Sequence, residues 1–308
     1  MRRIGVLWFI LLFALSVKAQ QDAMYSQYKF NTLAINPAYA GSRDLVSATV
    51  LVRSQWVGVE GAPETQTISL DMPFMNRKLG LGVQVFNDQV GVTNLRGGFM
   101  SFSYRIFMEN STLAFGLQGG ASHLQADLNS VDLGNPNPDQ AFLQNTDEIF
   151  INFGTGIYFN TSNFYIGLSV PQLMKNKLNN NNITAGTNGQ VDRQYLHLFA
   201  ASGYVIELDE NFKIVPSVLV KAIQGAPVQV DLNANFWVKD IFSVGAQYRS
   251  STSVAATMEL QVSNQIRMGY SYDRTITKLA NFRAGSHEIM LRYEFGSPNS
   301  NALSPRYF

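Results

Sequence analysis

The chain has 308 residues, of which 46% are hydrophobic and 15% charged, with a formal net charge of +1 and no cysteine. The absence of cysteine excludes disulfides, thiol chemistry and cysteine-ligated zinc. A charge this close to neutral gives no electrostatic support for binding to a polyanion, so we predict no nucleic-acid partner.

The N-terminus has the pattern of a secretory signal peptide. Arg2-Arg3 precedes an apolar run over residues 4–17, and Ala19 supplies the small residue that ends such a segment. We predict a signal peptide over 1–19, cleaved between Ala19 and Gln20, which leaves 20 basic and 22 acidic residues and a net charge of −2. A signal anchor is the alternative, but the apolar run is short for a membrane-spanning helix.

Apolar and polar residues alternate along most of the remaining chain. In residues 228–249 the alternation is interrupted only at Lys239-Asp240. Successive side chains of a strand point to opposite faces, so the pattern predicts two strands joined by a tight turn, each with one apolar and one polar face. Strands are predicted at 45–55, 64–73, 78–87, 94–107, 111–122, 148–159, 163–170, 194–206, 212–222, 227–238, 241–249, 252–261, 264–273 and 286–296.

This pattern predicts an all-β fold, a transmembrane outer-membrane β-barrel of about 14 antiparallel strands. After the signal no apolar run is long enough for a membrane helix, and only a closed barrel satisfies the backbone hydrogen bonds of strands in lipid. Charged residues such as Arg267, Asp273 and Glu288 recur on the polar face, as expected for a lumen. A soluble β-sandwich is the alternative, because its sheets also alternate apolar and polar residues.

The connections between the predicted strands alternate in length. Those after even-numbered strands are short, whereas the two longest, 123–147 and 171–193, follow odd-numbered strands; Ser250-Ser251 is the one tight exception. Outer-membrane barrels have short periplasmic turns and long external loops, so we predict that both termini are periplasmic. Aromatic residues near strand ends, among them Tyr158 and Trp237, are expected in the belts at the membrane interfaces.

The mature chain is therefore divided into three parts. Residues 20–44 are too polar and too interrupted for a membrane strand, and we predict a periplasmic arm or a plug folded into the lumen. An ordinary leader is the alternative interpretation. The barrel is predicted over 45–296, and residues 297–308 form a C-terminal tail.

Motifs for catalysis are missing from the sequence. It contains no G-x-S-x-G elbow, no H-E-x-x-H pair and no phosphate-binding glycine motif. His287 stands between Ser286 and Glu288, but neighbours on a strand point to opposite faces and cannot form a proton relay. We predict a protein that is not an enzyme and that uses no cofactor or metal.

Several segments resemble the PorP/SprF family of Bacteroidota outer-membrane proteins. They are QDAMYSQY at 21–28, NTLAINPAYAG at 31–41, RSQW at 53–56, GAPET at 61–65, SYD at 271–273 and GSHEIMLRYEF at 285–295. The resemblance covers nearly the whole mature chain and implies an outer-membrane barrel of the type IX secretion and gliding motility machinery. In this family some members belong to the secretion core, and others hold the C-terminal domains of secreted adhesins at the cell surface. With only a short tail after its last strand, this chain is more similar to the short, SprF-like members.

Two functions stay open at this point. The first is a barrel that docks a secreted adhesin, or its C-terminal domain, together with type IX secretion components, while outer-membrane lipid covers the apolar face. The second is a porin-like channel whose luminal charges select small solutes. For docking, the exposed aromatics and amides of the arm and the end of the first strand are expected to contact the partner, although the latter residues could instead pack the rim. The candidate residues are Tyr25, Gln27, Tyr28, Asn31, Asn36, Pro37, Tyr39, Arg53, Gln55 and Trp56.

Overall fold

The structure, a computed structural model, describes residues 31–131, 145–174, 196–223, 226–277 and 285–296. The predicted signal peptide and C-terminal tail lie outside these residues. The described residues form the helix α1 (Thr32–Ile35) and two 3₁₀ helices (Pro37–Tyr39 and Leu128–Ser130), none long and apolar enough to cross a membrane. The strands are β1 (Val46–Ser54), β2 (Glu64–Phe74), β3 (Leu79–Val90), β4 (Thr93–Phe107), β5 (Thr112–Ala126), β6 (Thr146–Asn160), β7 (Phe164–Val170), β8 (His197–Tyr204), β9 (Ile206–Glu207), β10 (Phe212–Ile223), β11 (Gln229–Val238), β12 (Phe242–Arg249), β13 (Ser253–Gln261), β14 (Ile266–Thr275) and β15 (Gly285–Phe295).

These strands form one closed antiparallel barrel. Apart from β8 and β9, each strand pairs with its neighbour along the chain, and β15 pairs with β1 from Val46↔Phe295 to Ser54↔His287, which closes the sheet. Because β8 and β9 both pair with β10, one after the other, they act as a single interrupted strand and the barrel has 14 strands around its circumference. The predicted barrel of about 14 antiparallel strands is confirmed. The sandwich alternative is wrong, because the sheet closes on itself instead of packing on a second sheet.

The two faces of the barrel follow the alternation of the sequence. Ile149 on the outer face is 70% exposed, whereas Glu288 on the inner face is fully buried. Arg267 and Asp273, predicted for the inner face, are also buried there. In a transmembrane barrel the apolar outer band contacts lipid, so the buried charges belong to the lumen.

The two rims of the barrel differ in their connections. One rim, the short-turn rim, carries the connections 75–78, 108–111, 161–163, 208–211, 239–241 and 262–265, and both ends of the barrel leave from it. The opposite long-loop rim carries the longer connections, but it has two tight ones, 91–92 and 250–252, where one was predicted. The additional tight turn forms because Gly91 adopts φ +57°, which extends the β3–β4 hairpin. The compartment that each rim faces stays a prediction.

Two aromatic residues expected at the membrane interface lie inside the barrel instead. Tyr158 is 1% exposed and Trp237 is fully buried. Trp237 occupies an inward position of β11, between the outward-facing Phe236 and Val238. The expectation was wrong because the alternation of a strand fixes which face a side chain joins, whatever the usual preference of its residue type.

Candidate functional site: the filled lumen

Residues 31–44, the luminal segment, lie inside the barrel and are mostly buried. Asn36 gives the segment its shape, because its Oδ1 accepts a hydrogen bond from the Ala38 backbone at 2.9 Å and caps the following 3₁₀ helix. Pro37 occupies the first position of that helix, where its fixed φ is favourable. Asn36 also donates from Nδ2 to the carbonyl of Ile157 on β6 at 3.0 Å, which fixes the turn to the barrel wall.

Five small inward-facing residues, the small-residue row, lie beneath the luminal segment on neighbouring strands. Direct cross-strand pairing joins them in the order Gly80, Ser103, Gly116, Gly156 and Ser169. Because each stands opposite the next, they form a shallow groove that runs across β3 to β7. Residues 35–40 of the luminal segment lie along this groove, from Ile35 at β7 to Ala40 at β3.

The three glycines of the row allow the backbone of the segment to approach the wall closely. A Cβ atom at any of them would overlap an atom of the luminal segment, so a larger residue requires the segment to move. The overlapping pairs are Gly80 with the Ala40 carbonyl oxygen, Gly116 with the Ala38 backbone nitrogen, and Gly156 with Asn36 Oδ1.

The two serines of the row bind the backbone of the segment. Ser103 Oγ donates to the carbonyl of Ala40 at 2.7 Å, and Ser169 Oγ donates to the carbonyl of Ile35 at 2.5 Å. Short helices leave terminal carbonyls without intrahelical partners, and buried carbonyls need one. The row therefore provides both space and hydrogen bonds for the segment.

Ion pairs hold the C-terminal end of the segment. Arg43 Nε donates to Glu294 of β15 at 2.8 Å, and both side chains are largely buried. Burial is the largest single effect and lowers the pKa of the Arg43 guanidinium, but Glu294 and Tyr39 together raise that pKa by more, so the net shift is upward and the charge is kept. Asp44 accepts a hydrogen bond from Arg105 of β4 at 2.7 Å and lies 3.6 Å from the more exposed Arg77.

The luminal segment is also the centre of an apolar core that crosses the lumen. Tyr39 packs edge-on against Tyr158 with ring centroids 5.5 Å apart, and the Arg267 guanidinium lies 5.1 Å from the Trp237 ring centroid on the far side. Burying a large apolar side chain contributes about 1.5–3 kcal/mol, so these contacts favour the inserted segment. The core consists of Leu33, Ile35, Ala38, Tyr39, Ala40, Ala114, Tyr158, Tyr165, Ala201, Val205, Val215, Leu219 and Trp237.

Charged side chains fill the opposite part of the lumen. Five of them, the ionic chain, come from β11, β12, β14, β15 and β1, and each is nearly inaccessible to solvent. The contacts run Glu288–Arg53 at 3.2 Å, Arg53–Asp273 at 3.3 Å, Asp273–Arg249 at 3.7 Å and Arg249–Asp231 at 3.0 Å. Such pairing is what buried charges require. Within the described ranges, no group of three or more His, Asp or Glu residues is placed to hold a metal ion.

The predicted partner-binding residues of the arm are distributed differently from expectation. Those within the luminal segment are buried, with Asn31 1% and Tyr39 3% exposed. The expected exposure is therefore wrong for these two, because the segment packs into the lumen instead of extending into solvent. Asn36 and Pro37 are buried with them, while Tyr25, Gln27 and Tyr28 lie outside the described residues.

The predicted residues at the end of β1 have structural contacts. Arg53 belongs to the ionic chain, and Gln55 and Trp56 are half-buried at the long-loop rim. Trp56 donates from Nε1 to Thr275 Oγ1 at 3.2 Å and from its backbone to Ser286 Oγ at 3.3 Å, which ties the β1–β2 connection to β14 and β15. Trp56 has φ +43°, an uncommon conformation for a non-glycine residue.

Sequence reasoning missed the small-residue row and the Arg43–Glu294 pair. A signal for the row was present in the sequence. Gly80, Gly116 and Gly156 each alternate with apolar residues and therefore occupy inward-facing positions of their strands. Glycine in a strand interior often marks a place where another backbone approaches closely. Their alignment, however, depends on the register of five strands and is not visible in the alternation.

Comparisons with known proteins agree with this architecture. The family model described as "Type IX secretion system membrane protein PorP/SprF" matches residues 17–293, whereas none of the curated proteins matches. Among solved structures, the CymD monoaromatic hydrocarbon channel is similar with a TM-score of 0.52 at 12% identity, covering 88% of this chain and 94% of that chain. Omp33 of Acinetobacter baumannii gives a TM-score of 0.46 at 10% identity, covering 82% of this chain and 100% of its own. At such low identity the likeness to CymD shows the barrel fold alone.

Proposed function

The chain belongs to the PorP/SprF family of type IX secretion system membrane proteins, and from this premise we propose that it is a non-enzymatic outer-membrane barrel that docks a secreted partner at the cell surface. The partner would be an adhesin or its C-terminal domain, and the barrel would work with other components of the type IX secretion and gliding machinery. The N-terminal signal, cleaved between Ala19 and Gln20, would direct the chain to export.

The filled lumen carries this proposal. A channel for small solutes needs a continuous polar path between its two rims. In the described residues, the luminal segment and its apolar core occupy the part of the lumen next to β3–β11, and the ionic chain occupies much of the rest. Docking needs no such path, because the partner remains at a rim.

The long-loop rim is the proposed docking side. It would face the cell exterior, and the short-turn rim with both chain ends would face the periplasm, as in other outer-membrane barrels. Of the candidate residues, Gln55 and Trp56 lie at this rim and are only half-buried. Tryptophan is enriched among residues that dominate binding energy, so Trp56 is the leading contact.

Affinity purification of the intact protein from its native membrane tests the proposal. We expect a secreted protein to co-elute, and Trp56→Ala to reduce its yield severalfold while the barrel stays folded. Phe153→Ala, on the outer face in the middle of β6, is the matched control because it removes an exposed aromatic away from the rim. If no secreted protein co-elutes, the docking function is contradicted.

Planar-bilayer recording separates docking from the porin-like alternative. The intact protein is expected to show no steady current, because its lumen is filled. A variant lacking residues 20–44 is expected to conduct, since it loses the segment that crosses the lumen. A steady ohmic current from the intact protein would instead support the porin-like channel function and contradict a function that is docking alone.

A further inference from the structure

A cavity of about 120 Å³ lies between the luminal segment and the long-loop rim. Ala34 and Ile35 of the luminal segment form its floor. Its wall reaches Asp88 and Leu95 beside the β3–β4 turn, and Gln229 at the start of β11. Since these wall residues belong to the long-loop rim and the luminal segment closes the floor, the cavity is a dead end that opens toward the proposed docking side.

One wall of the cavity is an aromatic platform made by Phe86 and Phe99. Their rings are nearly parallel, at 8°, with centroids 6.2 Å apart. Each ring lies against a glycine that is its direct cross-strand partner, Gly97 for Phe86 and Gly120 for Phe99. A Cβ atom at either glycine would be 2.6 Å from the ring, so only glycine lets the rings lie flat on the wall. Both rings line the cavity.

The opposite wall is polar, but its charges are already paired. Arg249 Nε donates to Asp231 Oδ2 at 3.0 Å, and Gln229 Nε2 donates to Asp231 Oδ1 at 3.0 Å. The Lys221 ammonium lies 5.7 Å from the Phe199 ring centroid. Together with Asp88, the cavity wall has two acidic and two basic side chains. A balanced wall favours a neutral occupant.

We propose that this cavity receives a single aromatic side chain, of phenylalanine or tyrosine, carried by an exposed peptide segment of the docked protein. An apolar cavity of about 150 Å³ holds one benzene ring, so a cavity of about 120 Å³ has room for about one ring. The ring stacks on Phe86 and Phe99, and the amides of the peptide face the polar wall. The dead end fits a side chain that stops in place better than a solute in transit. The inference rests on the proposed docking function and names what the partner inserts.

Fluorine NMR of the full-length protein in lipid nanodiscs tests whether the cavity binds an aromatic side chain. The probe is acetyl-glycyl-(4-fluorophenylalanyl)-glycine amide. We expect the probe signal to broaden and shift on binding. Ala34→Trp, which fills the cavity from its floor, is expected to weaken binding at least tenfold. Ala246→Trp is the matched control, because Ala246 is exposed on the outer face of β12. Where Ala34→Trp does not fold, Phe86→Leu removes one ring of the platform and is expected to weaken binding severalfold.

Competition with unlabelled ligands identifies what the cavity selects. Acetyl-Gly-Phe-Gly-amide is expected to displace the probe at least tenfold more effectively than acetyl-Gly-Ala-Gly-amide. Displacement by toluene as effective as by the phenylalanine peptide would assign the cavity to free aromatic molecules and overturn the proposal. So would equal competition by the alanine peptide, or no binding of the probe. Because the measurement contains no partner protein, a negative result together with a co-purified secreted protein rejects this inference and leaves docking intact.

Discussion

Two walls of the same barrel fill the lumen in opposite ways. On β3 to β7 the inward positions of the row are glycine and serine, and a separate piece of backbone occupies the space that they leave. On β11 to β15 and β1 the inward positions include arginine, aspartate and glutamate, whose long side chains meet one another. Both walls have the same alternation of apolar and polar residues, so the size of the inward-facing side chains decides what fills the lumen.

Different interactions stabilise the two walls. The ionic wall depends on mutual pairing, since a buried charge that loses its partner is strongly unfavourable. The small-residue wall depends on shape, because interiors are close-packed and one added carbon atom at a tight contact must displace its neighbour. Substitutions in the first wall should therefore act on the stability of the whole barrel, and those in the second on the luminal segment.

Arg53→Ala is expected to have the largest effect, because it removes the guanidinium that contacts both Asp273 and Glu288. Leaving buried carboxylates without this partner should lower the free energy of unfolding by about 3–5 kcal/mol. Urea denaturation followed by the heat-dependent gel mobility of the barrel measures the change. Arg274→Ala, exposed on the neighbouring position of β14, is the control and should change little. Equal stability of the two variants would show that the ionic chain does not support the barrel.

Gly116→Ala tests the opposite wall. The added methyl group would overlap the Ala38 backbone, so the luminal segment should detach locally at a cost of about 1–3 kcal/mol while the strands stay paired. Hydrogen exchange followed by mass spectrometry should show faster exchange over residues 34–42 and unchanged exchange in β5. Gly98→Ala is the matched control, because a Cβ at Gly98 meets only ordinary contacts at 3.5 Å. Unchanged protection of the segment in Gly116→Ala would refute the close fit.

The pair Arg43 and Glu294 links the two walls, because it joins the end of the luminal segment to β15. Arg43→Met and Glu294→Gln should each destabilise the protein, and the double variant should be less destabilised than the sum of the two. We expect a coupling free energy of about 1–3 kcal/mol in a double-mutant cycle. Additive effects would mean that the segment is held by its shape alone.

The barrel could be predicted from the sequence because its main determinant is local. Alternation with period two identifies strands and their faces residue by residue, and the strands begin and end close to where the pattern predicts them. The largest differences are at β3 and β5, which extend to Val90 and Ala126 beyond the predicted ends at 87 and 122, and at β8, which begins at His197 instead of 194 and is interrupted after Tyr204. In β3 the signal fades because Asp88 on the inner face and Gln89 on the outer face are both polar. In β5 the pattern is reversed, because the inward Leu124 and Ala126 are apolar and the outward His123 and Gln125 are polar.

The filled lumen could not be predicted in the same way. Gly80 and Gly156 are far apart along the chain, and their alignment follows from hydrogen-bond registers that periodicity does not encode. The motif around Asn36 indicated a non-strand segment, but where it lies depends on that alignment. Tyr39 was expected in solvent because the segment around it is polar and is not a strand. In the structure, Ser103 and Ser169 of the wall bind backbone carbonyls of the segment, and Asn36 donates to a carbonyl of the wall.

Arg77→Ala is expected to have the smallest effect. It compares an exposed ion pair with a buried one, because Arg77 and Arg105 both contact Asp44. Asp44 contacts two arginines, but Arg105 is buried and lies 2.7 Å away, whereas Arg77 is 47% exposed and lies 3.6 Å away. An exposed ion pair contributes at most about 1 kcal/mol, so removing Arg77 should lower the free energy of unfolding by less than that. Arg105→Ala, measured by the same urea denaturation, should cost several times more because it leaves Asp44 without its buried partner. If the two variants are equally stable, then water reaches this end of the luminal segment and the short-turn rim is more open than its packing indicates.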